Sequence, residues 1–120
     1  MSNTRGIRGA ITAAGNNKKA ILSATKQLLN AMVSANKLKL QDIACVIFSA
    51  TKELKAEFPA TAARQMGWKN VPLMCASEIN VPGSIKNCIR VLMMVNSNKP
   101  QSSIKHIYLG KAKKLRPDLG

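Results

Sequence analysis

Arginine is the scarce cation in this chain. Fourteen lysines accompany five arginines, Arg5, Arg8, Arg64, Arg90 and Arg116. A lysine ammonium is a mobile point charge, whereas a guanidinium presents a planar fork of donors in fixed geometry. Where lysine is the default, an arginine marks a place at which planar donation has a task. Arg90 is the sharpest case. It lies inside Ile89-Arg90-Val91-Leu92-Met93-Met94-Val95 and shares a strand face with Leu92 and Met94. Buried there, its charge must meet an anion. The alternative is a strand-end arginine whose head reaches water. Glu78, one of only five acids, follows the third strand in Cys75-Ala76-Ser77-Glu78 and is the natural partner. It can orient the guanidinium and accept a hydrogen bond from a ligand hydroxyl. The alternative is a surface loop acid.

Other catalytic machinery is thin. His106 is the single histidine, and its neighbours are those of a strand, so Ser-His-Asp and Cys-His catalysis have little to draw on. The three cysteines, Cys45, Cys75 and Cys88, are odd in number and widely spaced, which argues against a disulfide framework or a zinc site. Cys75 reads by default as a small buried residue and Tyr108 as strand packing. Neither a G-x-G-x-x-G run nor a P-loop is present.

The charge balance bounds the partners. Nineteen Lys+Arg against five Asp+Glu give a formal net charge of +14 and a pI near 10.3. Such a surface attracts anions, and a basic nucleic-acid-binding protein is one reading. Against it, only Phe48, Phe58, Trp68 and Tyr108 could stack on bases, none of them interleaved with a lysine cluster. The longest apolar run, Val91 to Val95, is far too short for a membrane span. No signal-peptide pattern follows Met1, so a cytoplasmic protein is expected.

The elements that must position these residues fit a single domain of 120 residues. Gly6 to Thr12 alternates as a first strand, with Arg8, Ala10 and Thr12 on one face. An amphipathic helix is predicted from about residue 17 to 35, where Ile21, Leu22, Thr25, Leu28, Leu29, Met32 and Val33 recur at helical spacing behind an asparagine cap. Ile43–Phe48 is a buried strand. Phe58-Pro59 opens a shorter helix, with Pro59 at its first position and Gly67 at its C′ end. Val71–Ala76 is a third strand, Ile85–Asn87 a brief helix, Ile89–Val95 a fourth strand, 96–103 a polar loop and Lys105–Leu109 a fifth strand. An irregular basic tail is expected from about 110 to 120. The order β-α-β-α-β-β-β describes one mixed sheet packed with helices, an α+β or α/β domain.

Several separated motifs together resemble the monofunctional AroH-class chorismate mutases. They are Arg5-Gly6-Ile7-Arg8-Gly9-Ala10; Phe58-Pro59-Ala60 with Arg64; Val71-Pro72-Leu73-Met74-Cys75 with Glu78; Cys88-Ile89-Arg90-Val91; His106-Ile107-Tyr108-Leu109; and Leu115-Arg116-Pro117-Asp118-Leu119. They run in order from Arg5 to Leu119. The resemblance implies an isomerase that converts chorismate to prephenate for phenylalanine and tyrosine synthesis. It also implies a homotrimeric pseudo-α/β-barrel with active sites between subunits, and neither cofactor, metal, membrane nor specific nucleic acid as partner. A catalytically inactive trimer of the same fold that binds small carboxylates is a further alternative.

By the same resemblance, Arg90 contacts the ether oxygen and Glu78 the ring hydroxyl. Arg8 and Tyr108 bind substrate carboxylate, while Arg64 and Arg116 supply charge at the mouth. Phe58, Ala60, Leu73, Met74, Cys75 and Leu115 complete the site. Thr61 stands where the family commonly has a lysine, and Met74 where some relatives have a small polar residue. The chemistry agrees with what the sequence lacks. This Claisen rearrangement breaks a C–O bond and forms a C–C bond in one step, with no proton transfer and no covalent intermediate. It calls for conformational restriction of the substrate and a cation at the ether oxygen.

Overall fold

A computed structural model of the chain describes residues 3–115. Strand β1 (Asn3–Thr12) alternates Ile7, Gly9 and Ile11 on one face with Arg8, Ala10 and Thr12 on the other. It starts three residues before the predicted strand, because Asn3, Thr4 and Arg5 find partners in Ser97, Asn96 and Val95. The remaining elements are α1 (Lys18–Ala35), β2 (Ile43–Ala50), α2 (Ala60–Gln65), β3 (Leu73–Ser77), β4 (Cys88–Ser97) and β5 (Ile107–Tyr108). Short 3₁₀ turns occupy Leu40–Asp42, Gln101–Ser103 and Gly110–Leu115.

The strands form one mixed sheet in the order β3-β2-β4-β1-β5. β4 runs antiparallel to both β1 and β2, while β2–β3 and β1–β5 are parallel pairs. Ile7, Ile11, Val46, Phe48, Ile89, Val91, Met93 and Val95 on one face close a core with Ile21, Leu28, Leu29 and Met32 of α1. Each fully buried aliphatic or aromatic side chain stabilises this packing by roughly 1.5–3 kcal/mol. Gly9 lets the helix approach: a Cβ there would lie 2.5 Å from Met32 Sδ.

Local signals explain the helix ends. Asn17 Oδ1 accepts the Ala20 N–H at 2.8 Å and starts α1. At its other end Asn36, buried, donates from Nδ2 to the carbonyls of Met32 and Lys105 and accepts the Lys105 N–H at 2.8 Å. That side chain fastens the helix terminus to the segment entering β5. Gly67, at φ +88°, ends α2 as predicted: its N–H reaches Arg64 O and that of Trp68 reaches Ala63 O, both at 3.1 Å. Pro59, at φ −55°, is the cap residue immediately before α2.

Four expectations are corrected. The brief helix over Ile85–Asn87 is absent, because Asn87 takes the left-handed φ of +55° and its carbonyl is engaged by Ala13 N–H at 2.7 Å. The fifth strand is only Ile107–Tyr108, paired in parallel to Gly9 and Ala10. The polar loop begins later, since Asn96 and Ser97 continue β4, and Gln101–Ser103 within it form a 3₁₀ turn. The basic tail is not irregular as far as Leu115. Gly110–Leu115 winds as a 3₁₀ turn anchored by Lys111 N–H on Thr12 Oγ1 at 3.2 Å.

Candidate active site

The face of the sheet opposite the α-helices gathers most of the candidate polar side chains. Register places Ser49, Arg90, Ala10 and Tyr108 in one row across β2, β4, β1 and β5. Ile47, Leu92 and Arg8 form the next row. These residues, with Leu115 folded back from the C-terminal 3₁₀ turn, line a hollow of about 340 Å³. The alternation of β4 therefore does what the sequence implied, with Ile89, Val91, Met93 and Val95 inward and Arg90, Leu92 and Met94 on the other face. The burial expected for Arg90 is corrected. Its side chain is 45% exposed within the chain: no α-helix packs over this face, and the 3₁₀ turn Gly110–Leu115 buries Ala10 and Cys88 there but leaves Arg90 partly exposed.

Glu78 is the anion that Arg90 meets. Its Oε1 lies 3.4 Å from Arg90 Nε, and its Oε2 accepts the Ser49 hydroxyl. The Glu78 N–H donates to Ala50 O at 3.0 Å, so the end of β2 holds both the backbone and the carboxylate of this acid. With Nε turned to Glu78, the guanidinium borders the hollow. Two residues earlier on the same strand face, Cys88 is fully buried, and burial pushes its thiol up to about 11, although the nearby Arg90 charge pulls the other way. Cys88 is thus a neutral packing group, next to Ala10 and Ala112.

The other predicted site residues lie elsewhere. Phe58 and Cys75 line a second hollow of about 450 Å³ between β3 and the segment leading to α2. Arg64 and Leu73 border a third of about 330 Å³, with Trp68. Leu73 and Cys75 lean on the core, while Met74, 64% exposed, points to the open face beside Ile47. Ala60 lies in the core and offers a ligand no side-chain surface. The predicted residues thus fall into two groups at separate places in the chain. Arg8, Glu78, Arg90, Tyr108 and Leu115 form one; Phe58, Arg64, Leu73 and Cys75, on β3 and on and before α2, form the other, with Met74 on the open face beside Ile47. Arg116 lies outside the described residues.

Thr61, in place of a lysine, receives Arg64 Nη1 at 3.4 Å and donates to Glu57 Oε1 at 3.1 Å. The Phe58 N–H, at 2.8 Å, holds the Glu57 carboxyl below its ordinary value, with help from Thr61, Lys18 and Arg64. Arg5, outside the resemblance's site, donates Nε to Lys99 O at 2.8 Å and so fastens the loop after β4. His106 accepts the Arg8 N–H on Nδ1 at 3.0 Å, a role in holding β1 to the approach of β5. Among the described residues no cluster of His, Cys, Asp and Glu is arranged to hold a metal ion, and no helix is long and apolar enough to cross a membrane.

Ser49 went unread in the sequence. It lies just past the apolar run that marked β2, and only the register, which sets it opposite Arg90, gives it a task.

Comparison with known proteins matches residues 4–119 to the family model described as chorismate mutase type I. A chorismate mutase AroH of Thermus thermophilus is 48% identical over 116 residues, 96% of this chain and 95% of that protein. The corresponding protein of Bacillus subtilis (strain 168) is 47% identical over 116 residues, 96% of this chain and 91% of its own length. A solved chorismate mutase from Clostridium thermocellum superposes with a TM-score of 0.90 at 50% identity, covering 91% of this chain and 97% of that one.

Proposed function

The chain belongs to the type I chorismate mutase family and is a chorismate mutase, and on that premise we propose that its active site is shared between copies. The observation that carries this reading is the division of the site. Arg8, Arg90, Tyr108 and Leu115 line one hollow, Phe58 and Cys75 a second, and Arg64 and Leu73 a third. The open face between them exposes Ile47, Leu92 and Met74 without a covering element. A second copy seated on that face brings the β3–α2 edge of one chain over the arginine row of the next. Repeated around an axis, this heterologous contact closes a ring, here a trimer.

In the shared cleft each group has a physical task. Chorismate is a dicarboxylate whose reacting carbons must be brought together before the ether bond breaks. Arg8, with Tyr108, holds carboxylate, and Arg64 and Arg116 place positive charge at the mouth. Phe58, Leu115 and the apolar rim press the enolpyruvyl group over the ring and exclude water. Glu78 accepts the ring hydroxyl and fixes Arg90. The Arg90 N–H groups then meet the ether oxygen as negative charge grows on it. That contact is stronger in the transition state than in the ground state, and this is what makes it catalytic. The +14 surface adds a long-range attraction for the dianion. No proton transfer is asked of any side chain.

The test is the loss of chorismate absorbance on adding purified protein, read with light scattering. Turnover by a trimer is expected. Two separately crippled variants, Arg90→Ala and Arg64→Glu, should regain activity when refolded together, because some interfaces then combine two intact halves. A monomer, or no recovery in the mixture, overturns the shared site. Salt-sensitive DNA or RNA binding without turnover overturns the assignment of the arginine row to chorismate.

A further inference from the structure

We propose that Glu53 is a positioning residue for the Arg90–Glu78 pair: its carboxylate clasps the end of β2 to the start of β4 and so sets where the guanidinium points. The inference rests on the reading of Arg90 given above. Glu53 lies three residues beyond β2, outside every motif that marked the site. Its Oε2 accepts both the Thr51 hydroxyl and the Asn87 N–H.

The Thr51 hydroxyl passes the constraint on. A hydroxyl has one proton to give and lone pairs to receive with. Having donated to Glu53, Thr51 Oγ1 is oriented to accept the Cys88 N–H, at 3.0 Å. The Thr51 N–H donates to the Cys88 carbonyl, also at 3.0 Å. The first residue of β4 is therefore bonded to Thr51 through both its backbone groups. Two residues along each chain from this junction, Ser49 and Arg90 face each other, and between them Ala50 O takes the Glu78 N–H.

The clasp also braces Asn87 at its left-handed φ of +55°, a conformation that asparagine adopts more readily than other non-glycine residues. The same donors, the Thr51 hydroxyl first and the Asn87 N–H second, keep the Glu53 carboxyl below its ordinary pKa, so the acceptor is charged at neutral pH. Glu53 bonds to Thr51 and Asn87, and it acts on the arginine row through Thr51 and Cys88.

The experiment measures kcat and KM separately, with oligomer state and circular dichroism as controls. Glu53→Ala should lower kcat roughly tenfold, since a small misplacement of a preorganised donor is costly. KM should stay within about twofold, because the carboxylate-binding cations are undisturbed. Glu53→Gln, which keeps an acceptor oxygen for both donors, should recover most of the loss. In an Arg90→Lys background, Glu53→Ala should add less than about twofold, since the geometry it protects is already gone. If Glu53→Ala does not fold, Glu53→Asp, one methylene short of its donors, takes its place, with kcat expected to fall about threefold at unchanged KM.

A parent-like kcat in the variant, a rise in KM alone, or an undiminished extra loss in the Arg90→Lys background overturns the positioning role and leaves the reading of Arg90 standing. Arg90→Lys itself within tenfold of the parent overturns that reading, and the positioning role with it.

Discussion

On β4 alternate residues meet two different environments. Ile89, Val91, Met93 and Val95 are buried under the helices, none more than 3% exposed. Arg90, Leu92 and Met94, interleaved with them, face a side of the sheet that no α-helix covers and where the 3₁₀ turn Gly110–Leu115 buries only the Ala10–Cys88 end. The covered face is completed by apolar packing within one chain, and its side chains are interchangeable in kind as long as volume is kept. The open face is held by a few directed polar contacts: Arg90 to Glu78, Glu78 to Ser49 and Ala50. Its apolar members, Ile47 and Leu92, remain partly exposed. Apolar packing is therefore concentrated on one face and directed polar contacts on the other, although both come from the same strands.

Substitutions on each face should separate the two properties. The largest effect is expected from Arg90→Lys. It keeps the charge and removes the planar fork, and losing a preorganised donor of this kind costs about 10²–10³ in kcat. Urea unfolding of the variant should match the parent. A folded variant within tenfold of the parent would break the comparison, by showing that the open face tolerates loss of geometry.

The reciprocal change on the covered face is Gly9→Ala. The added methyl group meets Met32 Sδ at 2.5 Å and Leu28 Cδ1 at 3.1 Å, so the seat of α1 must shift. A loss of about 1–3 kcal/mol is expected in urea unfolding, with kcat per folded enzyme within about twofold. An unchanged unfolding midpoint would mean that the α1 seat is looser than its packing indicates.

The smallest effect comes from pH. Glu53 and Glu57 are held below their ordinary value in the folded chain, Glu53 chiefly by the Thr51 hydroxyl and Glu57 chiefly by the Phe58 N–H. A lowered folded pKa gives stability that is full above the unfolded value of about 4.5 and is lost as pH falls through the lowered one. Cys88 has the opposite sign: raised to about 11 by burial, its contribution is full below the ordinary thiol value and fades as pH rises towards 11. Denaturation midpoints should thus be level between about pH 5 and 8 and decline on both sides. Cys88→Ala should remove the alkaline decline alone; if the decline persists, another group carries it.

Much of this was legible along the chain. The 3.6-residue recurrence of apolar residues from Ile21 to Val33, with Asn17 before it, describes a helix wherever it is packed, and Gly67 ends α2 by the conformation only glycine adopts cheaply. Arg90 stood out because a guanidinium in an apolar strand requires an anion, and Glu78 was one of few available. The absent helix at Ile85–Asn87 and the shortened β5 have one cause. Both segments take their conformation from distant partners, Ala13 and Glu53 for the first and the edge of β1 for the second.

By itself, then, the sequence determined most of the elements, the two-faced alternation of the strands and the scarcity of arginine that singled out Arg90. These follow from local periodicity, capping and charge, each set by neighbours within a few positions. Tertiary structure alone decided which residues meet. Ser49 faces Arg90 through the β2–β4 register, Glu53 reaches Asn87 across 34 positions, and Arg8 and Tyr108 share a hollow because β5 returns parallel to β1. Such contacts depend on how strands are ordered in the sheet, and no periodicity along one strand encodes its neighbour.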